Sequence, residues 1–283
     1  MNSHKSLRKR YVMTTIFTQT FCIILALLSI IPFWIMLVNS TRSTSAIQQG
    51  ISLIPSGYIK FNWETLRSQG FNALRGTMNS TVISACSTGL SVYFSTMTAY
   101  GLTFYNFKGR KVLFNIIVGI IMVPAQLSLI GFYRFMLMLD LTNSYIPLIL
   151  PAIASPSTIF FMKQYLKSAM PFDIIESSRI DGAGELKTFN KMCIPIMKPA
   201  LATMSIFGIV ASWNNFFTPL VLLTDEKKYT LPLMVQLLKG NIYRTEYGSI
   251  YLGLSLTVLP LIIVYLSLSK YIIRGVAAGS IKG

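Results

Sequence analysis

The residues able to carry covalent chemistry are few in this sequence, and they lie far apart. The one histidine, His4, is in a basic N-terminal segment, remote in sequence from the three cysteines, Cys22, Cys86 and Cys193. Nucleophilic catalysis by Ser or Cys needs a base within hydrogen-bonding reach, and metal centres need clustered ligands. The sequence therefore predicts no catalytic residue and no metal site.

Phosphate-binding chemistry is not indicated either. The dipeptide Gly-Lys occurs nowhere in the 283 residues, which excludes a phosphate loop of the Gly-x-x-x-x-Gly-Lys-Ser/Thr type. We therefore expect the chain itself to bind no cofactor. The remaining polar residues are suited to non-covalent contacts, and two groups of them are candidates for a functional role.

The first group is a polar stretch of residues 171–199, here called the docking segment. Pro171 can open a helix where its missing N–H costs nothing, and Asp173 and Glu176 then lie in the first turns, where the helix dipole favours negative charge. Gly182 can adopt a positive φ and end that helix.

A second short helix is expected from Gly184 to about Met192, and Pro195 and Pro199 mark the entry to a long apolar stretch. Two short helices joined by a glycine elbow form a rigid protrusion. A connection of this length with helices of its own is usually functional, so we expect a docking role, with a plain connecting loop as the alternative.

The second group is Trp213-Asn214-Asn215-Phe216, which lies inside an apolar stretch. Asparagine within a membrane span is costly unless its amide faces a partner or water. Two interpretations stay open, a hydrogen bond between helices and an amide that faces water. Aromatic faces beside amides would also suit sugar rings.

The elements that must position these groups are membrane helices. Only 12% of the residues are charged and 53% are hydrophobic, and the mean hydropathy is +0.57. Six stretches lack charge for at least 22 residues each, and a helix needs about 20 apolar residues to cross a bilayer. Their flanking charges are Arg10 and Arg42, Arg75 and Lys108, Lys111 and Arg134, Asp140 and Lys163, Lys198 and Asp225, and Glu246 and Lys270.

We therefore predict an all-α membrane protein with six transmembrane helices. The second stretch is rich in Ser and Thr, and these small side chains favour close packing against other helices over contact with lipid. Several prolines interrupt the predicted spans and are expected to kink or break them: Pro32, Pro124, Pro151, Pro156, Pro219 and Pro260.

The distribution of positive charge sets the orientation. With a cytoplasmic N-terminus, 16 of the 25 Lys and Arg residues lie inside and 8 outside, which the positive-inside rule requires. The net charge of +16 thus reflects membrane topology, and nucleic acid is not an expected partner. The predicted organisation is a cytoplasmic segment 1–11, a membrane domain 12–273 containing the cytoplasmic loop 167–198, and a cytoplasmic tail 274–283.

The docking segment resembles the Glu-Ala-Ala (EAA) loop of permease subunits of ATP-binding-cassette (ABC) importers. The family pattern is Glu-Ala-Ala, three residues, Gly, nine residues and Ile-x-Leu-Pro, and every spacing is matched. Ser177 and Ser178 replace the two alanines, and Met192 and Ile194 replace the isoleucine and leucine. The matching positions for ATPase coupling are Glu176, Ser177, Ser178, Asp181, Gly182, Ala183 and Pro195.

The sequence end gives a second resemblance. Residues 274–283 are similar to the terminal tail of the smaller maltose-type permease subunit, which implies contact with the ATPase subunits through Gly275, Gly279, Lys282 and Gly283. Because the tail is rich in glycine, we expect it to hold no structure by itself. Trp213-Asn214-Asn215-Phe216 also resembles a Trp-Asn-x-Phe motif near the translocation pathway of such subunits.

The resemblance implies a type I ABC importer permease fold and a subunit of a sugar importer, an oligosaccharide being the expected substrate, in the bacterial cytoplasmic (inner) membrane. The implied partners are a second homologous permease subunit, two ATPase subunits that bind ATP and Mg, an extracellular or periplasmic sugar-binding protein, and the lipid bilayer. The subunit itself would be non-catalytic.

Two other classes of protein were weighed against this interpretation. An ion- or proton-coupled secondary transporter usually carries buried Asp, Glu or His within its spans and shows internal repeats, and this sequence has essentially neither. A membrane enzyme or a channel is disfavoured by the lack of a reactive cluster. Co-purification with an ATPase distinguishes all three.

Overall fold

The computed structural model describes the backbone of residues 2–238 and 245–280, and the side chains of residues 11–124, 126–238 and 245–267. Within these residues the structure is helical, as predicted. Contacts divide the chain into two units, one of residues 1–71 and 238–256 and the other of residues 72–237 and 257–283.

The first unit begins with helix α1, Asn2–Asn39. Its apolar window is only 6% buried, so its surface suits lipid or another subunit. Two short helices follow, α2 (Thr44–Gln48) and α3 (Ile59–Ser68). Arg42 is buried beside them and donates hydrogen bonds to Asn39 Oδ1 and to the carbonyls of Ala46 and Gly50.

The second unit is built around helix α4, Ala73–Phe104, which packs on several other helices. One face of α4 buries seven hydroxyl side chains: Ser80, Ser84, Ser87, Thr88, Ser91, Ser95 and Thr96. Some of these hydroxyls donate to carbonyls of the same helix, as Ser84 Oγ does to Ser80 O and Thr96 Oγ1 to Val92 O. This burial confirms that the hydroxyl-rich stretch packs against protein.

The remaining elements of the unit follow α4 in chain order. They are α5 (Arg110–Ile121), α6 (Leu129–Met138), α7 (Ile146–Ile149), α8 (Pro156–Ala169), α9 (Phe172–Ile180), α10 (Glu185–Thr188), α11 (Ile194–Ile196), α12 (Lys198–Asn214), α13 (Phe217–Leu222) and α14 (Leu231–Leu238). Helix α15, Tyr247–Ser280, belongs to both units.

Within the described residues, three helical stretches are long and apolar enough to cross a membrane: Tyr11–Asn39, Ile146–Ala169 and Tyr247–Ser267. Two bent pairs raise the number to five. Arg110–Ile121 turns by 88° into Gln126–Met138, and Glu185–Ile196 turns by 80° into Lys198–Asn214. Helix α4 is long enough, with 32 residues, but its hydroxyl content keeps it outside this group.

The prolines have unequal effects. Helix α5 ends shortly before Pro124. Pro151 lies in a 3-10 turn and Pro156 begins α8, and the helical structure breaks between them. Helices α1 and α15 pass through Pro32 and Pro260 without ending, so these two prolines do not break their helices. Pro219 lies inside the short helix α13.

The tail prediction needs a correction. Helix α15 extends to Ser280, so Gly275 and Gly279 are helical rather than part of an unstructured segment that begins at residue 274. The tail extends a helix that has already formed, so each of its residues adds a backbone hydrogen bond without a new nucleation step. This offsets the weak helix preference of glycine. Lys282 and Gly283 lie outside the described residues.

Candidate coupling site

The first helix of the docking segment forms where its local sequence directs it. Helix α9 starts at Phe172. Pro171 (φ −59°, ψ 144°) lies just before it, so the helix begins one residue later than predicted. At the other end, Gly182 has φ +73°. Gly182 N donates to Arg179 O at 3.0 Å, and Ala183 N donates to Ser178 O at 3.0 Å. These two bonds form a Schellman motif, which confirms the predicted glycine elbow.

The second half of the segment is a continuous helical stretch, longer than the predicted 184–192. It runs through α10, a π-helical turn at Phe189–Cys193, and α11. Ile194 N donates to Phe189 O across this widened turn. Pro195 follows at once, and because proline has no N–H it cannot continue the normal bonding pattern. The chain then turns by 80° into α12.

An apolar core fixes the segment to α4 and α8. Ile175 of α9 and Phe189 of the π turn are almost completely buried, together with Leu166 of α8. The Phe189 ring lies 5.5 Å from the Tyr100 ring and 5.6 Å from the Tyr93 ring, both on α4 and both edge-on. These contacts make the segment part of one packed core with α4 and α8.

A buried hydroxyl pair joins the two halves of the segment. Ser178 Oγ of α9 lies 2.7 Å from Thr188 Oγ1 of α10, and both side chains are about 1% exposed. Each hydroxyl satisfies the other, so neither is left without a hydrogen bond in the core. The pair holds the two helices together next to the Gly182 elbow.

A polar cluster links the elbow to the end of α4. Arg179 Nε donates to Glu185 Oε1 at 2.8 Å, and Tyr100 Oη donates to Glu185 Oε2 at 3.0 Å. The Arg179 guanidinium also lies 5.5 Å from the centre of the Tyr105 ring. Glu185 thereby bonds to both the first helix of the segment and α4.

The charges of this cluster are stabilised by their neighbours. Burial alone would raise the pKa of Glu185, but hydrogen bonds from Tyr105, Arg179 and Tyr100 outweigh burial, so the pKa lies below its usual value. The hydrogen bond to Glu185 likewise raises the pKa of Arg179. Both groups are therefore charged at neutral pH.

The opposite side of the segment is open. Glu176, Ser177, Asp181 and Gly182 are exposed, and Ile180 is 85% exposed. The described side chains form one ion pair, between Arg179 and Glu185. Glu176 therefore has no basic partner among the described side chains. An exposed carboxylate beside an exposed isoleucine on a fixed helix is a suitable surface for another protein.

The second predicted group lies where α12 ends, and its four members differ. Trp213 is buried, and its Nε1 donates to Thr257 O at 3.2 Å. Asn215 caps α13, because its Oδ1 accepts from Thr218 N and its Nδ2 donates to Thr218 Oγ1. Phe216 stacks on Phe217 with 4.2 Å between ring centres. Asn214 is exposed and has no such bond among the described side chains.

Sequence reasoning missed three residues of the coupling site, namely Tyr100, Glu185 and Thr188. Arg179 and Glu185 carry opposite charges on either side of a glycine turn, a signal that would have suggested the ion pair. Tyr100 lies in a charge-free stretch, and nothing in the local sequence connects it with residues 85 positions later.

Residues 91–278 match the family described as the inner membrane component of binding-protein-dependent transport systems. This match includes the docking segment and the end of α12.

Curated relatives cover almost the whole chain. The arabinooligosaccharides transport system permease protein AraQ of Bacillus subtilis is 35% identical over 266 residues, 93% of this chain and 94% of that protein. The lactose transport system permease protein LacG of Rhizobium radiobacter is 29% identical over 257 residues, 91% and 92% of the two chains. The trehalose/maltose transport system permease protein MalG of Thermococcus litoralis is 32% identical over 208 residues, 72% and 74%.

A solved structure shares the fold. One chain of a bacterial ABC transporter that imports the acidic polysaccharide alginate aligns with a TM-score of 0.77 at 24% identity, covering 92% of this chain and 96% of that one. The helical arrangement described above is therefore that of an ABC importer permease.

Proposed function

Because this chain belongs to the family of inner membrane components of binding-protein-dependent transport systems, we propose that it is the permease subunit of an ATP-driven importer of oligosaccharides. Membership makes it a multi-pass integral membrane protein of the ABC permease class, which is non-catalytic. An oligosaccharide as substrate is supported by the relatives, whose names specify arabinooligosaccharides, lactose and trehalose or maltose.

The proposed topology has six spans with both termini in the cytoplasm of a bacterial cell, in the inner membrane. The spans are α1, α4, the bent pair of α5 and α6, residues 146–169, α12 with α13, and α15. The positive-inside distribution of charge supports this orientation, and the burial of the hydroxyl face of α4 explains how a less apolar helix is tolerated.

The proposed coupling runs through the docking segment. Two ATPase subunits bind ATP and Mg, one of them grips the exposed face around Glu176, and closure of the two subunits displaces α9. Glu185, Ser178 and the packing of Phe189 pass this displacement to α4 and α8, which exchange inward for outward access. The fixed, exposed two-helix protrusion with its Gly182 elbow is the observation that supports this mechanism.

The other partners belong to the same proposal. A second, homologous permease subunit completes the pathway, and a periplasmic or extracellular binding protein delivers the sugar. The terminal residues Gly275, Gly279, Lys282 and Gly283 contact the ATPase subunits. This chain binds no cofactor of its own.

The exposed amide at the end of α12 is proposed to line the pathway. We expect Asn214→Ala to raise the KM for sugar uptake several-fold without loss of heat stability, since its side chain has no described structural bond. Asn215→Ala, which removes the cap on α13, is expected to lower heat stability as well. An unchanged KM in Asn214→Ala would remove this residue from the pathway.

Co-purification followed by transport measurement tests the function as a whole. The tagged chain, expressed from its native operon, is expected to bring down a second permease and an ATPase. Reconstituted vesicles should hydrolyse ATP faster when the binding protein carries an oligosaccharide. A ligand screen on that binding protein identifies the sugar. Isolation of the chain without any ATPase would contradict the proposal.

A further inference from the structure

A group of positive charges without a negative partner lies between the start of α5 and the end of α8. Lys163 is only 7% exposed, and its charged neighbours are Lys167 and Arg110, both positive. The described side chains form one ion pair, and it lies elsewhere, in the docking segment. No described carboxylate therefore pairs with Lys163.

Helix geometry brings these groups onto facing surfaces. Arg110 and Phe114 are one turn apart on α5, and Lys163 and Lys167 are one turn apart on α8. Phe114 stacks on Phe160 of α8 with 6.1 Å between ring centres, and Lys163 Nζ lies 3.8 Å from the centre of the Phe114 ring. Three cationic groups therefore lie near two stacked rings, and Arg110, Phe114, Lys163 and Lys167 are here called the cationic cluster.

The Phe114 ring offsets only part of the desolvation of the ammonium group. A cation–π contact stabilises a desolvated ammonium, but a neutral ring supplies no negative charge to balance the three cationic groups. A buried charge is normally paired, and like charges nearby increase the cost of leaving it alone. An anion with several oxygen atoms, such as a phosphate ester, would satisfy the ammonium and guanidinium donors together.

The surroundings favour a lipid as the source of that anion. Leu113 and Ile116 of α5 and Phe160 of α8 are exposed apolar side chains, which suit acyl chains rather than water. Lys167 is exposed in the last turn of α8, close to the end of the candidate span Ile146–Ala169. Basic pockets between membrane helices on the cytoplasmic side are suited to anionic headgroups.

We propose that the cationic cluster of Arg110, Phe114, Lys163 and Lys167 binds the headgroup phosphate of an anionic phospholipid of the inner leaflet. The assignment to this leaflet rests on the orientation under "Proposed function"; the lipid class rests on the cluster alone. Lys163 and Lys167 hold the phosphate, and the exposed apolar side chains of α5 and α8 hold the acyl chains.

Native mass spectrometry of the complete purified transporter tests the site. The complex is delipidated and exchanged into equal amounts of phosphatidylglycerol and phosphatidylcholine. We expect selective retention of phosphatidylglycerol, reduced about fivefold by Lys163→Gln and by the exposed variant Lys167→Gln. Lys111→Gln, an equal change of charge at an exposed neighbour of Arg110, should retain the lipid like the unchanged protein.

Several results would overturn the proposal. One is equal retention of the two lipids; another is equal loss in Lys111→Gln and Lys167→Gln. Displacement of phosphatidylglycerol by millimolar inorganic phosphate would assign the site to a free anion, and a crosslink from Lys167→Cys to an ATPase carboxylate-bearing segment would assign it to protein. Lipid retention needs no ATP hydrolysis or uptake, so its failure is distinct from a failure of the proposed function.

Discussion

Individual polar residues in the docking segment are paired so that each depends on its partner. Ser178 and Thr188 satisfy one another in the core, and Glu185 holds Arg179 and Tyr100. The buried hydroxyl pair stabilises the fold mainly because neither hydroxyl is left without a hydrogen bond. The half-exposed ion pair between Arg179 and Glu185 fixes the positions of the two side chains more than it adds to stability.

The hydroxyl pair gives a test at this scale. Ser178→Ala should destabilise the subunit by about 1–3 kcal/mol, because Thr188 Oγ1 would be buried without a partner. The double variant Ser178→Ala with Thr188→Val should recover most of this loss, since both polar groups are then removed. The stability of each variant is measured as the heat-induced loss of the monodisperse complex in size-exclusion chromatography.

The control for this cycle is Ser177→Ala, because Ser177 is exposed one residue away. Its stability should match that of the unchanged protein. If the double variant were less stable than Ser178→Ala alone, the pair would not be the reason for the loss.

The sequence predicts site residues unevenly, for a physical reason. Gly182 and the two helices were predictable because turn chemistry is local, and the structure confirms the positive φ. Tyr100 and Thr188 were not, because their roles arise from contacts across the fold that no local pattern encodes. The π turn was also missed, since Pro195 was interpreted only as an entry to the next span.

At the scale of elements, the two glycines of the elbow differ in one property. A Cβ added at Gly182 or at Gly184 would meet nothing within 4 Å, but only Gly182 has a positive φ, +73°. Space is therefore equal at the two positions, and backbone conformation alone separates them.

We expect Gly182→Val to strain the elbow by about 1–2 kcal/mol and to uncouple ATP hydrolysis from uptake while the chain stays in the membrane. Gly184→Ala should leave coupling intact. Gly182→Asn should be milder than valine because asparagine tolerates the left-handed conformation. The ratio of uptake to hydrolysis in vesicles is the measurement, and normal coupling in Gly182→Val would count against the elbow.

The packing of α12 on α4 also depends on a glycine. A Cβ at Gly208 would come within 2.9 Å of Thr88 Cγ2, so the two helices approach closely there. Gly208→Ala should destabilise the protein by about 1–3 kcal/mol through overpacking.

Shortening the Thr88 side chain should reverse the destabilisation caused by Gly208→Ala. The double variant Gly208→Ala with Thr88→Ala is expected to regain stability, and Gly101→Ala, at a site with open space, serves as the control. Thermal unfolding followed by intrinsic fluorescence checks both. Equal stability of Gly208→Ala and the unchanged protein would contradict the close approach.

For the whole molecule, charge-free stretches predicted the class of protein well and the shape of its spans poorly. Length and apolarity follow from the bilayer, so membrane helices were predictable from composition. Pro124 predicted a break in the third stretch, but the 88° angle of that break and the break after Asn214 were not predictable, because they depend on how neighbouring helices satisfy the freed backbone groups.

The central claim is that the docking segment lies in the cytoplasm and is held by an ATPase subunit. Its most direct test is site-directed crosslinking from Glu176→Cys in a background lacking Cys22, Cys86 and Cys193, using intact cells and a short bifunctional reagent. The account predicts a crosslink to the ATPase and no labelling by an impermeant thiol reagent added outside. Labelling from outside, or no ATPase adduct from an expressed and assembled subunit, would contradict it.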